Sequence, residues 1–321
     1  VTRRSAVPPP VTAVLDASSR WLPARLGEVE EGLRAAAAGH GEVLGEDAVA
    51  TLAAGGKRLR PMLVLLCAGE AGGEASVRAA TAIELVHMAT LVHDDVLDAA
   101  PLRRGHPTVV ASSGRGRAVA TGDLLLSRAF ALLADAGDGR AVAILAEASV
   151  ALARGELAQR HDAFDTSISE QRYFERCRLK TAKLFESACL LGHDDERLRE
   201  FGADIGLAFQ LLDDVLDVAG PPERTGKARG TDLLDGTITL PLIEAAAADP
   251  GIRETDLRAL DAAAAARLCD RIESTGALDR VRARALEMVA AAKRRLGDPA
   301  FSPEQRQLLA LVADGVVQRY S

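Results

Sequence analysis

Two segments of this chain end in the same five residues, Asp-Asp-Val-Leu-Asp, at positions 94–98 and again at 213–217. Each copy closes an apolar stretch, behind Leu-Val-His in the first and Gln-Leu-Leu in the second. Residues four apart share a helix face, so Asp94 pairs with Asp98 and Asp213 with Asp217. Like charges at that spacing weaken an isolated helix by about 0.2–0.5 kcal/mol, and an uncompensated carboxylate beside a buried surface costs more. A fold that keeps both copies needs a cationic counterpart. Magnesium supplies one: it takes one or two carboxylates and completes its shell with phosphate oxygens and water, so such a helix end recruits a diphosphate. A single Asp-Asp-x-x-Asp is more often a solvated helix face. Two copies with identical centres, both behind apolar helices, favour the metal reading.

Helical periodicity recurs from about residue 11 to 319, broken at Gly and Pro clusters, and no segment alternates as a strand does. The spacing predicts a helix from about Glu74 to Asp98 and others over about 117–135, 139–162, 169–192 and 195–219. Four more are expected between about 238 and 319. Ala, Leu, Val and Arg dominate and aromatic content is 3%, which suits closely packed helices better than sheets. The class is all-α, as a single domain over 11–321 behind a disordered lead-in at 1–10. A net charge of −7 argues against a nucleic-acid partner. Cys67, Cys177, Cys189 and Cys269 lack metal or redox spacing and read as reduced core thiols of a cytoplasmic protein. No uninterrupted apolar run reaches membrane-spanning length, so no integral membrane segment is expected.

Basic residues are ordered around the acidic segments. Gly55-Gly56-Lys57-Arg58-Leu59-Arg60-Pro61 is a glycine turn feeding a helix start, suited to a phosphate group. Arg103-Arg104-Gly105 follows the first acidic segment, and Lys180-Thr181 and Thr225-Gly226-Lys227 add cations beside predicted helix ends. Each alone reads as a solvated basic patch; their order is what informs. Together with Gly155-Glu156 and Gln159, Phe209-Gln210, Gly230-Thr231-Asp232-Leu233 and Thr239-Leu240-Pro241, the chain resembles the all-trans polyprenyl diphosphate synthases from about Gly55 to Pro241.

The resemblance implies a bundle of long antiparallel helices around a central cavity, working as a homodimer. It implies condensation of an allylic diphosphate with isopentenyl diphosphate, head to tail, with three magnesium ions per active site. Asp94, Asp98 and Asp213 would be the principal metal ligands, with Asp95, Asp214 and Asp217 acting directly or through water. Arg103, Lys180 and Lys227 would hold the allylic diphosphate, supported by Thr181 and Gln210. Lys57, Arg60, His87 and Arg104 would hold isopentenyl diphosphate. His87, seven residues before Asp94, lies about two turns along the same face; His93 could be structural. Some family members carry Lys after the glycine at 236, where Thr237 stands here.

Product length should be set along the helix of the first motif. Thr90 and Val86 lie four and eight residues before Asp94, and Ala89 lies five before. One turn advances about 5.4 Å, roughly one extended isoprene unit. No bulky residue stands at 89 or 90, so the tunnel is expected to close deeper, at Phe130 or Leu133. The string around the motif is similar to medium- and long-chain members, which implies products of about C30 to C50, with C20 as the alternative. A class I terpene cyclase would share the first motif but has no use for an isopentenyl diphosphate site. A non-catalytic subunit of a heteromeric synthase would be expected to lose acidic ligands, and all six aspartates are present.

Overall fold

The computed structural model describes residues 9–318 apart from 19, 39, 54, 104, 221–228 and 298–300. Helices run α1 (Pro9–Ala17), α2 (Leu22–Ala37), α3 (Glu42–Ala53), α4 (Leu59–Ala68) and the long α5 (Gly73–Leu97). A short hairpin of β1 (Leu102–Arg103) and β2 (His106–Pro107) precedes α6 (Val109–Ser113), α7 (Arg115–Asp135) and α8 (Gly139–His161). Then come α9 (Glu170–Cys177), a π-turn at Arg178–Ala182, α10 (Lys183–Gly192) and α11 (Glu196–Ala219). The remainder holds α12 (Thr231–Leu234), α13 (Leu240–Ala248), α14 (Pro250–Arg253), α15 (Ala262–Ser274), α16 (Ala277–Arg295) and α17 (Pro303–Gln318).

The protein is all-α, and the periodicity placed its long helices to within a few residues. The differences are local. Most of the lead-in expected over 1–10 lies outside the described residues, but Pro9 and Pro10 already open α1, where a missing N–H is no loss. The hairpin pairs Leu102 with Pro107 and Arg103 with His106; Gly105 turns it at φ +80°. Two-residue strands are too short to show an alternation. The helix expected over 169–192 is continuous but contains the π-turn, so Lys180 sits inside a helical run rather than at its end.

The chain divides into two compact units. The first comprises Val1–Ser149, Ser187–Arg199 and Pro299–Val312; the second comprises Val150–Glu186, Glu200–Asp298 and Ala313–Ser321. In the first unit α5 is apolar nearly all round, and α2, α4 and α7 pack about it. Val29 and Leu33 of α2, Leu63 and Val64 of α4, Ile83, Leu85 and Val86 of α5, and Leu125 of α7 are fully enclosed. Glycine brings α7 close: a Cβ at Gly122 would lie 2.2 Å from His93 Nε2, which gives His93 the structural role of filling that contact. The stretch Glu70–Leu97 is long and apolar enough to cross a membrane, yet most of it is buried in the protein, as a core helix is.

The second unit has its own core. Tyr173, Phe185, Phe201, Ile205 and Leu211 are enclosed there, and Phe185 packs on Phe209 with ring centroids 5.5 Å apart. α13 packs against α9, α15 and α16. Cys67, Cys177, Cys189 and Cys269 are buried free thiols.

Candidate active site

The first acidic segment occupies the last turn of α5, and helical phase separates its carboxylates. Asp95 points inward at 5% exposure, Asp94 is half-buried and Asp98 is exposed. The hairpin returns Arg103 over the helix, where its Nε and Nη2 donate to Asp95 Oδ1 at 2.8 and 2.7 Å. Asp95 therefore orients Arg103, while Asp94 and Asp98 form the more accessible pair.

A cleft beside this helix end is lined by Gly55 and Arg58 of the glycine turn, by Glu84, His87 and Asp95 of α5, and by Arg103. The structure thus gathers five of the residues quoted from sequence, Gly55, Arg58, His87, Asp95 and Arg103. Lys57 is exposed and Arg60 half-buried at the start of α4, and neither lines this cleft. Arg104 lies outside the described residues. Glu84 was not foreseen, and Arg58 stood in the sequence only as one cation of the basic turn. A carboxylate within Ala79–Val86, otherwise almost wholly apolar, was the available signal. Of the residues expected to set product length, Val86 and Ala89 are buried, while Thr90 and Phe130 are half-buried. Thr90 Oγ1 donates to the His87 carbonyl at 2.7 Å.

The second acidic segment lies near the end of α11, and again the middle aspartate turns inward. Asp214 is 2% exposed, while Asp213 and Asp217 are half-buried. A hydrogen-bond chain converges on it: Thr181 Oγ1 donates to Gln210 Oε1 at 2.6 Å, Gln210 Nε2 to Asp214 Oδ1 at 2.7 Å, and Tyr173 Oη to Asp214 Oδ2 at 2.6 Å. Burial and the nearby Asp232 push the Asp214 carboxyl up to about 7, against the pull of those donors. Burial and the same carboxylate push the Tyr173 phenol far above its usual range. Tyr173 is thus committed as a donor, another role that sequence reading missed, because a buried tyrosine on an amphipathic helix looks like core. Tyr173→Phe should lower stability by about 2 kcal/mol, read as a lower urea midpoint with an unchanged slope.

The π-turn presents Lys180 and Thr181. Lys180 Nζ is ion-paired with Glu156, whose other oxygen accepts from Arg160 Nε at 2.9 Å. Burial raises the Glu156 carboxyl, but the two cations outweigh it and hold the group below its usual range. Glycines grip the turn: a Cβ at Gly155 would lie 2.6 Å from Lys180 N, and one at Gly206 would lie 2.6 Å from Ala182 Cα. The segment from Gly230 to Asp232 folds onto Asp217, whose carbonyl accepts from Gly230 N at 2.9 Å and whose Oδ2 accepts from Asp232 N at 3.2 Å. Lys227 lies outside the described residues. Thr237 donates its backbone N–H to the Asp232 carbonyl at 2.8 Å.

Among the described residues no three His, Cys, Asp or Glu side chains converge into a metal cage. Each unit instead offers carboxylates four apart at a helix end, an all-oxygen donor set. That fits magnesium, which is held by few carboxylates and completed by phosphate oxygen and water.

Comparisons with known proteins bear on the family and the fold. The family model described as Polyprenyl synthetase matches residues 42–269. Heptaprenyl diphosphate synthase component 2 of Geobacillus stearothermophilus is 42% identical over 241 residues, covering 72% of this chain and 75% of the relative. Octaprenyl diphosphate synthase of Escherichia coli is 40% identical over 201 residues, covering 60% of this chain and 62% of that one. A polyprenyl synthase from Caulobacter crescentus, solved with calcium and isoprenyl diphosphate, superposes with a TM-score of 0.88 at 33% identity, covering 97% of this chain and 98% of that one. With both acidic helix ends and their basic neighbours inside the matched span, the chain belongs to the polyprenyl synthetase family.

Proposed function

We propose that the protein is a magnesium-dependent trans-prenyltransferase that joins an allylic diphosphate to isopentenyl diphosphate, head to tail. One observation carries the reading: an acidic helix end is tied to a diphosphate-binding cation twice, once in each unit. In the first unit Arg103 is held directly by Asp95. In the second the chain Thr181–Gln210–Asp214 ties the π-turn that bears Lys180 to the second motif.

Asp94, Asp98 and Asp213 are assigned as the metal ligands, with Asp217 alongside. Asp95 and Asp214 support them from within. Bound magnesium supplies charge neutralisation for a departing diphosphate. Arg103, Lys180 and Lys227 hold the allylic diphosphate and stabilise the charge that develops as its C–O bond ionises. The double bond of isopentenyl diphosphate, placed by His87, Lys57, Arg60 and Arg104, attacks the allylic carbon. The new carbon–carbon bond leaves a cation that loses a proton to the released pyrophosphate, so no protein base is needed. Apolar helix walls exclude the water that would otherwise capture the cation.

The heptaprenyl and octaprenyl relatives support products of about C30 to C50. Purified protein given farnesyl diphosphate, excess isopentenyl diphosphate and magnesium should yield that range by mass spectrometry. Arrest at C20 would make it a geranylgeranyl diphosphate synthase instead. Thr90→Phe should shorten the products, because an aromatic ring one turn below Asp94 blocks the path of the growing chain; unchanged lengths would remove Thr90 from the wall. We assign the active form as a homodimer in the cytoplasm. The Geobacillus relative is named as one component of its synthase, so a heteromeric enzyme is the second reading, and full activity of this chain alone would exclude it.

A further inference from the structure

Glu84 is a carboxylate at 3% exposure in the middle of an apolar helix. A buried charge persists only where it is paired and hydrogen-bonded. Its partner is Arg58, whose Nη1 donates to Glu84 Oε1 at 2.9 Å. The same guanidinium donates from Nε and Nη2 to the two oxygens of Glu30 at 2.5 and 3.3 Å. Burial alone would lower the Arg58 pKa, but the two carboxylates more than offset it and the group stays charged. Three elements meet at this one side chain: α2 through Glu30, the glycine turn through Arg58, and α5 through Glu84.

The backbone at Arg58 is left-handed, with φ 48° and ψ 37°, a conformation unfavourable for any residue with a Cβ. Glycine would adopt it without strain, yet the sequence places glycine only at 55 and 56. The side chain at this position therefore does something a glycine could not. Charge pattern alone would count Arg58 among the phosphate-binding cations of the basic turn. Its fork is instead committed to two carboxylates, and its side chain is only 12% exposed. Glu84 stands three residues before His87 on one face of α5, and both line the cleft with Gly55 and Arg58.

We propose that Glu30, Arg58 and Glu84 form a positioning clamp for isopentenyl diphosphate. The clamp fixes the left-handed turn against α5 and so sets the segment carrying Lys57 and Arg60 in register with His87. Arg58 and Glu84 are positioning residues that do not touch the substrate. The identity of the ligand rests on the prenyltransfer reading above.

Calorimetric titration of isopentenyl diphosphate into the magnesium-loaded protein, alongside steady-state kinetics, tests the clamp. Glu84→Gln should weaken isopentenyl diphosphate binding by about tenfold, equivalent to about 1.4 kcal/mol, with the KM for the allylic diphosphate and kcat nearly unchanged. Arg58→Gly, which keeps the turn's preferred backbone, should weaken binding less than Arg58→Ala. Should Glu84→Gln fail to fold, Glu30→Gln breaks the more exposed arm and should still raise the isopentenyl diphosphate Kd about threefold. Wild-type affinity in all variants would overturn the clamp, as would equal weakening of both substrates with a lower melting temperature; either result leaves the prenyltransfer reading standing. A wild-type protein that does not bind isopentenyl diphosphate would overturn both.

Discussion

Asp94→Asn should lower kcat/KM by about 10²–10³-fold while leaving the melting temperature within a degree or two. The substitution preserves shape and removes only charge, at a half-buried position on the last turn of α5. If Asp94 and Asp98 serve a magnesium ion, the loss should be partly relieved by raising magnesium, with the half-saturating concentration moving up by about tenfold or more. Asp95→Asn gives the contrast. Asp95 is buried and bound to Arg103, so its removal should act through the guanidinium, raising the KM for the allylic diphosphate and sparing the magnesium requirement. Magnesium titrations of initial rate for the two variants separate a ligand from a positioning carboxylate. An Asp94→Asn enzyme with wild-type rates at all magnesium concentrations would remove the first helix end from the metal site.

The contrast between Asp94 and Asp95 marks how far the sequence could be read. Both acidic segments were visible because five residues recur, and helical phase already paired Asp94 with Asp98 and Asp213 with Asp217. That phase argument said nothing of where Asp95 and Asp214 point, and it could not name Arg103 or Tyr173 as the groups that meet them. Those partners come from a hairpin of two-residue strands and from a separate helix, neither of which leaves a periodic trace. Helix positions were legible because an apolar stripe must face a core. The π-turn at Arg178–Ala182 was not, because one extra residue in a turn alters no local composition. Arg58 was misleading for a related reason: a basic residue in a basic turn looks like a phosphate ligand until the buried Glu84 is placed against it.

Gly155→Ala should lower kcat/KM by about a hundredfold, because it displaces Lys180 without touching it. A methyl at 155 would stand 2.6 Å from Lys180 N and 2.9 Å from its Cα, and backbone atoms cannot swing aside as a flexible side chain can. α8 cannot take up the strain alone, since Glu156, next to the new methyl, holds Lys180 by its ammonium group. The π-turn has little room to retreat either: Gly206 packs on it, with a Cβ there falling 2.6 Å from Ala182 Cα. Overpacking of this kind costs about 1–3 kcal/mol, partly offset by the roughly 1 kcal/mol by which alanine outdoes glycine in a helix. The stability loss should therefore be modest and the catalytic loss large. Gly139→Ala on the same helix is the control, since nothing lies within 4 Å of its Cβ position; it should leave activity unchanged and stability equal or higher. If Gly155→Ala matched that control in both assays, close packing of α8 would not be what places Lys180, and the Glu156 ion pair alone would have to account for its position.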